Sequence, residues 1–321
     1  MSARVQRTFL SARTSRQPFE GSTLLSIAIA TFNSAQTLRQ TLSSIFSNDY
    51  PKHLFEVLVA DGGSTDDTID IAKTFQVRIY HSPKASVGFR RNQSIRESRG
   101  KFICFTDSDI VVPDDWLRKI SDYFQRHPDV DGVGGPLLPP PTCRNEIQKY
   151  TGELYFEDQA CPTSATRIDT LEYATLLPTG NCALRKDVLI SVGGFPEHPL
   201  LGTIDMPLMW KLVRKGNRLV FLPDLQVIHL GFPSTITGVM KQQFKWGKNK
   251  GILRREYGLR SPTTFKAYLK KKAYPYFQVS RALLNLTSPF NRQKKKELVR
   301  ICHYVPYHLG QMYGQRIKLE D

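Results

Sequence analysis

The sequence predicts an α/β protein: a mixed, mainly parallel sheet flanked by helices, followed by a basic helical C-terminal extension. Three observations predict it. Short apolar runs alternate with helix-like segments from Leu24 onward. The runs close on polar residues, Asp61 and Asp107 among them, where a parallel sheet gathers its ligands. The surplus of Lys and Arg is confined to the end of the chain.

The first element is "LLSIAIAT", a continuous apolar run of the kind a strand buried on both faces requires. Asn33 and Ser34 suit a helix cap, and Ala35, Leu38, Leu42 and Ile45 then recur at helical spacing. The next strand, "FEVLVAD", ends at Asp61; "GGSTDDT" follows as a glycine turn with a Ser64…Asp67 capping box, opening a helix that carries Ile69, Ala72 and Phe75. A third strand is expected near "VRIY", a basic helix over about Gly88 to Ser98, and a fourth strand at "KFICFT".

After Trp116 the pattern loosens into a proline-rich loop, "GGPLLPPPT". "TGNCALRKDVLISVGGF" reads as a strand or turn leading into a helix, and "DMPLMWKLVRKGNRLVFLPDLQVIH" as helix, glycine turn and closing strand. Near the end, Leu298, Ile301, Val305, Leu309 and Met312 repeat at amphipathic helical spacing, with Pro306 expected to kink the helix. The resulting organisation is a basic flexible N-terminus over residues 1–22, a catalytic domain over 23–247 divided near residue 110, and a basic amphipathic tail over 248–321.

The net charge of +16 is unevenly placed. Residues 241–321 hold 19 Lys and Arg against 4 Asp and Glu, whereas residues 21–240 hold 22 against 24. The body is neutral and the tail is basic, which points to an anionic partner for the tail. Five cysteines form no paired spacing, so neither disulfides nor a zinc site are expected. No apolar run reaches the roughly 18–20 residues that span a bilayer, and no secretory leader is evident, so the expected location is cytoplasmic or peripheral.

The chemistry centres on Asp107-Ser108-Asp109. In isolation such a triplet forms a solvated turn. At the end of a buried strand, two carboxylates spaced to reach one ion suit a hard cation that takes its other oxygens from water and phosphate.

Six segments, in order, carry a resemblance: "SIAIATFNSAQTL", "VLVADGGSTDDT", "GFRRNQSIRESRG", "FTDSD", "PTGNCALRKDVLISVGGF" and "IDMPLMWKLVRKG". On these the chain resembles the family 2 glycosyltransferases of the GT-A, Rossmann-like fold, with Ala30 where the family's opening turn has proline. The resemblance covers about Leu24 to His229. It implies a nucleotide-sugar donor, with Thr31, Asn33 and Asp61 meeting base and ribose and Arg91 facing the donor's charge. It implies that Asp107 meets both nucleotide and metal, that Asp109 ligates a divalent cation, Mg2+ or Mn2+, and that His229 is a third ligand; a histidine closing a strand also serves as a packed or capping group.

Where the family keeps its general base before a helix, Asp205 is the carboxylate that remains, among Ile204, Met206 and Pro207. Gly180, Asn181, Gln242, Lys245 and Trp246 are expected on the acceptor side, Lys245 replacing the arginine of a Q-x-x-R-W pattern. Two acceptor classes stay open: a hydroxyl of a glycan or lipid-linked sugar, which needs a base, and a lipid phosphate, which is already anionic. The basic tail, interleaved with Tyr274, Tyr276 and Phe277, is expected on an anionic membrane surface. A nucleic-acid partner is not expected, because the basic region carries no recognisable nucleic-acid motif and an acidic crevice repels a phosphate backbone. A nicotinamide dehydrogenase is disfavoured because "ATFNSAQ" stands where its G-x-G-x-x-G would follow the first strand.

Overall fold

The computed structural model describes residues 25–83, 86–159, 161–168, 177–197, 205–256 and 292–317. Its chain divides into two units, the first holding residues 1–138, 159–199 and 204–231, the second 139–158, 200–203 and 232–321.

In the first unit the expected β-α alternation forms β1 (Leu25–Thr31), α1 (Ala35–Phe46), β2 (Phe55–Asp61), α2 (Thr68–Lys73), β3 (Arg78–His81), α3 (Val87–Glu97) and β4 (Phe102–Asp107). β3, β2, β1 and β4 are parallel neighbours in that order. Leu25, Ile27, Ile29, Leu58, Val59, Phe102, Ile103 and Phe105 are fully buried. Adjacent residues point to opposite faces of a strand, so their joint burial means that both faces of the sheet are covered, which is why these strands read as unbroken apolar runs.

The chain continues through β5 (Ile110–Val111), α4 (Trp116–Arg126), β6 (Gly132–Gly134) and β7 (Leu137–Leu138). After a segment belonging to the second unit come β8 (Thr166–Ile168), β9 (Asn181–Arg185), α6 (Lys186–Ser191), α7 (Asp205–Arg214), β10 (Leu219–Phe221) and β11 (Val227–His229). β9 joins β4 antiparallel, and β6, β10 and β8 extend the sheet to eight strands; β5, β11 and β7 form a second, three-stranded sheet. The fold is thus a mixed α/β sheet whose parallel half aligns the ends of β1, β2 and β4.

Two local expectations are corrected. α2 ends at Lys73, so Phe75 lies beyond it and stacks on Phe46 at 5.7 Å between centroids. The Ser64…Asp67 capping box does not form: the Ser64 hydroxyl is drawn to Asp61, and Asp66 accepts the Ala35 and Thr68 N–H groups instead, at 3.1 Å each. A buried carboxylate needs donors more than an exposed helix start does.

The edge of the parallel half is tied by Glu56, which accepts from the Ser26 hydroxyl at 2.7 Å, from Arg78 at 2.9 Å and from the Arg99 N–H. Burial would raise its carboxyl, but these donors hold it below the ordinary range. A depressed folded-state pKa gives stability that is present above the unfolded value and lost as pH falls through the folded one. Glu56→Gln is expected to cost about 1–3 kcal/mol near neutral pH. The gap between native and variant midpoints in urea should shrink below about pH 4, and a gap constant with pH would contradict this account.

The second unit contains α5 (Glu146–Gln159), α8 (Ile236–Glu256) and α9 (Arg292–Gly314). Because α8 runs unbroken from 236 to 256, the expected boundary at 247 falls inside a helix, and the division lies near Phe232. α9 continues helical through Pro306. Residues 1–22 and the tail aromatics Tyr274, Tyr276 and Phe277 lie outside the described residues.

Candidate active site

Strand register assembles the site. In parallel pairing Thr31 lies opposite Asp61, and Ala30 opposite Asp107, so three neighbouring strands present their last residues along one edge. Antiparallel pairing of β4 with β9 sets Thr106 opposite Asn181 and brings Gly180 beside Asp107, where a Cβ would lie 3.0 Å from Oδ2. Pairing of β5 with β11 sets His229 opposite Ile110, next to Asp109. Neither pairing is local in sequence; both are needed before the carboxylates have neighbours.

At the first strand ends, Thr31 and Asp61 are fully buried. Asp61 accepts from Thr31 at 3.1 Å, from the Gly63 and Ser64 N–H groups at 2.8 and 2.9 Å, and from the Ser64 hydroxyl. Burial would raise its pKa, yet these four bonds hold it below the ordinary carboxylate range. These bonds also build the turn that joins the first two strand ends. Asn33 is exposed, holds the left-handed conformation at φ 49°, and accepts from the Thr65 N–H at 2.9 Å, joining the two loops. Between them Phe32 is 57% exposed, an aromatic the sequence reading passed over, although an apolar residue in a polar turn was a visible signal.

The three residues "RRN" take three directions. Arg90 closes over Gly62, where a Cβ would stand 2.3 Å from its guanidinium nitrogen. Asn92 donates to the Phe195 carbonyl at 2.9 Å and to Glu197 at 2.7 Å and accepts from the Phe195 N–H at 2.8 Å, fastening the Gly193-Gly194 turn. Arg91, 3% exposed, donates to Asp107 at 2.5 Å and to the Thr179 hydroxyl and stands 3.7 Å from Asp205. Its charge is engaged by the protein's own carboxylates.

Asp205 opens α7 and accepts from the Thr179 N–H at 3.2 Å. Asp107, Asp205, Arg91 and Thr179 thus form one cluster, with Asp109 and His229 beside it. Burial raises the Asp107 carboxyl against the pull of Arg91, and the charges of Asp109 and Asp205 add to the rise. Asp109 goes the other way: burial would raise it, but His229, with Nε2 at 3.3 Å, holds it low. His229 is raised in turn, burial opposing and Asp109 and Asp107 prevailing.

Among the described residues no group of three or more His, Cys, Asp or Glu side chains is already gathered to hold a metal ion. The donor set nonetheless fits one. Asp109 and His229 converge, and Gly231 leaves the space they need, since a Cβ there would lie 2.0 Å from Asp109 Oδ2 and 3.2 Å from His229 Nε2. Two carboxylates and an imidazole suit a divalent ion whose remaining places are filled by phosphate oxygens.

Asn181 braces the neighbouring loops. Its side chain is fully buried, donating to the Leu225 carbonyl at 2.6 Å and the Pro136 carbonyl at 3.3 Å and accepting from the Trp116 indole at 2.9 Å. It ties the Pro136 and Leu225 carbonyls to the Trp116 indole. Gln242, Lys245 and Trp246 lie on α8 of the second unit, Trp246 packed near Tyr155 at 5.7 Å between centroids.

Comparison with known proteins follows this geometry. The family model described as Glycosyl transferase family 2 matches residues 26–193, just over half of the chain. Glycosyltransferase AglE of Haloferax volcanii is 28% identical over 244 residues, 74% of this chain and 74% of AglE. Poly(ribitol-phosphate) beta-N-acetylglucosaminyltransferase TarS of Staphylococcus aureus is 28% identical over 213 residues, 62% of this chain but 34% of TarS, so the chain spans about a third of that relative. Among solved structures, mannosyltransferase PcManGT from Pyrobaculum calidifontis, in complex with GDP-Man and Mn2+, shares the fold at a TM-score of 0.57 and 18% identity, over 95% of this chain and 88% of that one.

Proposed function

The chain belongs to glycosyl transferase family 2, and from that premise we propose that it is a divalent-metal-dependent, inverting glycosyltransferase moving a sugar from a nucleotide-sugar to a hydroxyl of a glycan or lipid-linked acceptor. The observation that carries the reading is the cluster at the carboxyl ends of the parallel strands, where Asp109 and His229 stand 3.3 Å apart beside Asp107, and Arg91 links Asp107 to Asp205. The name of one relative, a poly(ribitol-phosphate) beta-N-acetylglucosaminyltransferase, supports an acceptor within a larger polymer or glycoconjugate. We place the enzyme at the cytoplasmic face of a membrane, its basic tail on anionic lipid.

The cation, Mg2+ or Mn2+, would be held by Asp109, Asp107 and His229, and it supplies charge neutralisation to the departing diphosphate. Phe32, exposed above the Thr31–Asp61 turn, stacks on the base, and Asn33 meets the ribose. Asp205 takes the acceptor's hydroxyl proton as that oxygen attacks the anomeric carbon. The carbon–oxygen bond to the diphosphate breaks on the opposite face, and the diphosphate leaves with the electron pair. Arg91, 3.7 Å away, helps to hold Asp205 in place. Gly180 admits the sugar close to Asp107.

The deciding experiment is a thermal-shift and hydrolysis panel of UDP-, GDP- and TDP-sugars with Mn2+ and with chelator. One nucleotide class is expected to stabilise the protein and to be hydrolysed slowly, both effects vanishing with chelator. No response to any nucleotide-sugar would refute the reading.

A further inference from the structure

Helices α8 and α9 pack through glycine. A Cβ at Gly247 would lie 1.8 Å from the Tyr307 carbonyl oxygen, at Gly251 2.2 Å from that of Gln311, at Gly310 2.2 Å from that of Phe244, and at Gly314 2.0 Å from that of Lys248. Positions rise together along both helices, so the helices run parallel, each presenting a Gly-x-x-x-Gly edge to the other's backbone. This is contact between main chains, of the kind that associates helices without burying large apolar side chains.

The distribution of polarity agrees. Gln243, Asn249 and His303 are buried at 2%, 1% and 4% exposure, and neither side-chain polar atom of Asn249 has a hydrogen-bond partner among the described residues. Val239, Ile252, Leu253 and Val299 are buried, but a second set of apolar side chains points outward: Val305, Leu309, Met312 and Tyr313 are 43%, 55%, 49% and 54% exposed, and Met240 and Phe244 are 43% and 38% exposed. Val305, Leu309, Met312 and Tyr313 share one stripe of α9, and Phe244 meets Tyr313 at 6.0 Å between ring centroids, so the two helices contribute to one ridge. In water a helix pair hides such residues; a contiguous exposed apolar ridge suits a lipid-facing environment.

Basic side chains flank this ridge. α8 carries six Lys and Arg against one Glu, with Lys241 and Lys245 exposed beside Met240 and Phe244. No described helix is long and apolar enough to cross a membrane. We propose that the α8–α9 ridge inserts into the interface of an anionic bilayer, its apolar side chains among the acyl chains and its lysines at the headgroups. The proposal rests on the membrane-face reading above and names the surface that carries it.

The test is flotation of the full chain with vesicles of phosphatidylcholine alone or mixed with phosphatidylglycerol. The native chain is expected to float with the anionic vesicles. Part of this binding should survive about 1 M salt, where the Debye length is about 3 Å, because insertion of apolar side chains is not screened. Leu309→Asp with Met312→Asp should lower the bound fraction about tenfold or more and abolish the salt-resistant part. Leu309→Ala with Met312→Ala gives a milder loss should the aspartates impair folding. Native-like flotation of both variant pairs would overturn the proposal. So would a native dimer in solution that these substitutions convert to monomer without vesicle binding, which would assign the ridge to a second copy of the chain. Donor hydrolysis in solution should be unchanged in the variants; its absence in the native chain beside intact flotation would refute the transferase reading alone.

Discussion

Asp205→Asn is expected to lower sugar transfer by about a hundredfold to ten-thousandfold, the usual worth of a general base, while nucleotide binding stays near native. Asparagine keeps the size of the side chain and an oxygen for the Thr179 N–H, 3.2 Å away, so the start of α7 should persist. What it removes is the charge that faces Arg91 at 3.7 Å and the basic oxygen. The measurement is turnover beside nucleotide affinity for the same variant. A structural role predicts a lower melting temperature with turnover per folded molecule retained. Normal turnover with a hydroxyl acceptor would remove Asp205 as base, and normal turnover confined to a lipid phosphate would favour the anionic acceptor.

Asp109→Asn is expected to abolish the metal-dependent part of nucleoside diphosphate binding and to lower turnover by about a hundredfold to a thousandfold, the scale of losing one electrostatic contact to developing charge. Asp109 is held ionised by His229, and both face the space that Gly231 leaves open. Removing the carboxylate takes away an anionic donor and the partner that raises the imidazole, so two of the three donors change at once. Nucleotide affinity measured with Mn2+ and with chelator reads the effect directly. Equal affinity in both conditions for the native chain would sink the metal role for the whole cluster.

Local patterning made the first half of the fold legible. The apolar runs ending at Thr31, Asp61 and Asp107 are the strands observed, because burial on both faces of a sheet leaves no room for polar residues until the strand ends. The same logic located the carboxylates, since the strand end is where charge first meets solvent. The side chains' partners were not legible. Arg91, Asp61 and Asn181 all belong to recognisable motifs, yet each is engaged inside the protein, and nothing in a motif says whether a polar group faces a ligand or a neighbouring loop.

By itself, then, the sequence determined the β-α order, the family, the Asp107–Asp109 pair at a strand end, and a tail whose charge differs from the body's. The β-α order, the carboxylate pair and the charged tail are written in short-range periodicity and composition, and the family in the resemblance of six ordered motifs. The tertiary structure alone decided that Arg91 joins Asp107 to Asp205, residues 98 positions apart. It decided that His229 meets Asp109 through the β5–β11 pairing, and that the glycines of α8 and α9 face each other and leave the apolar ridge outward. These are choices of partner across long stretches of chain. They depend on strand register and on which helix faces meet, and a free-energy balance over the whole fold sets those, not the preference of any one segment.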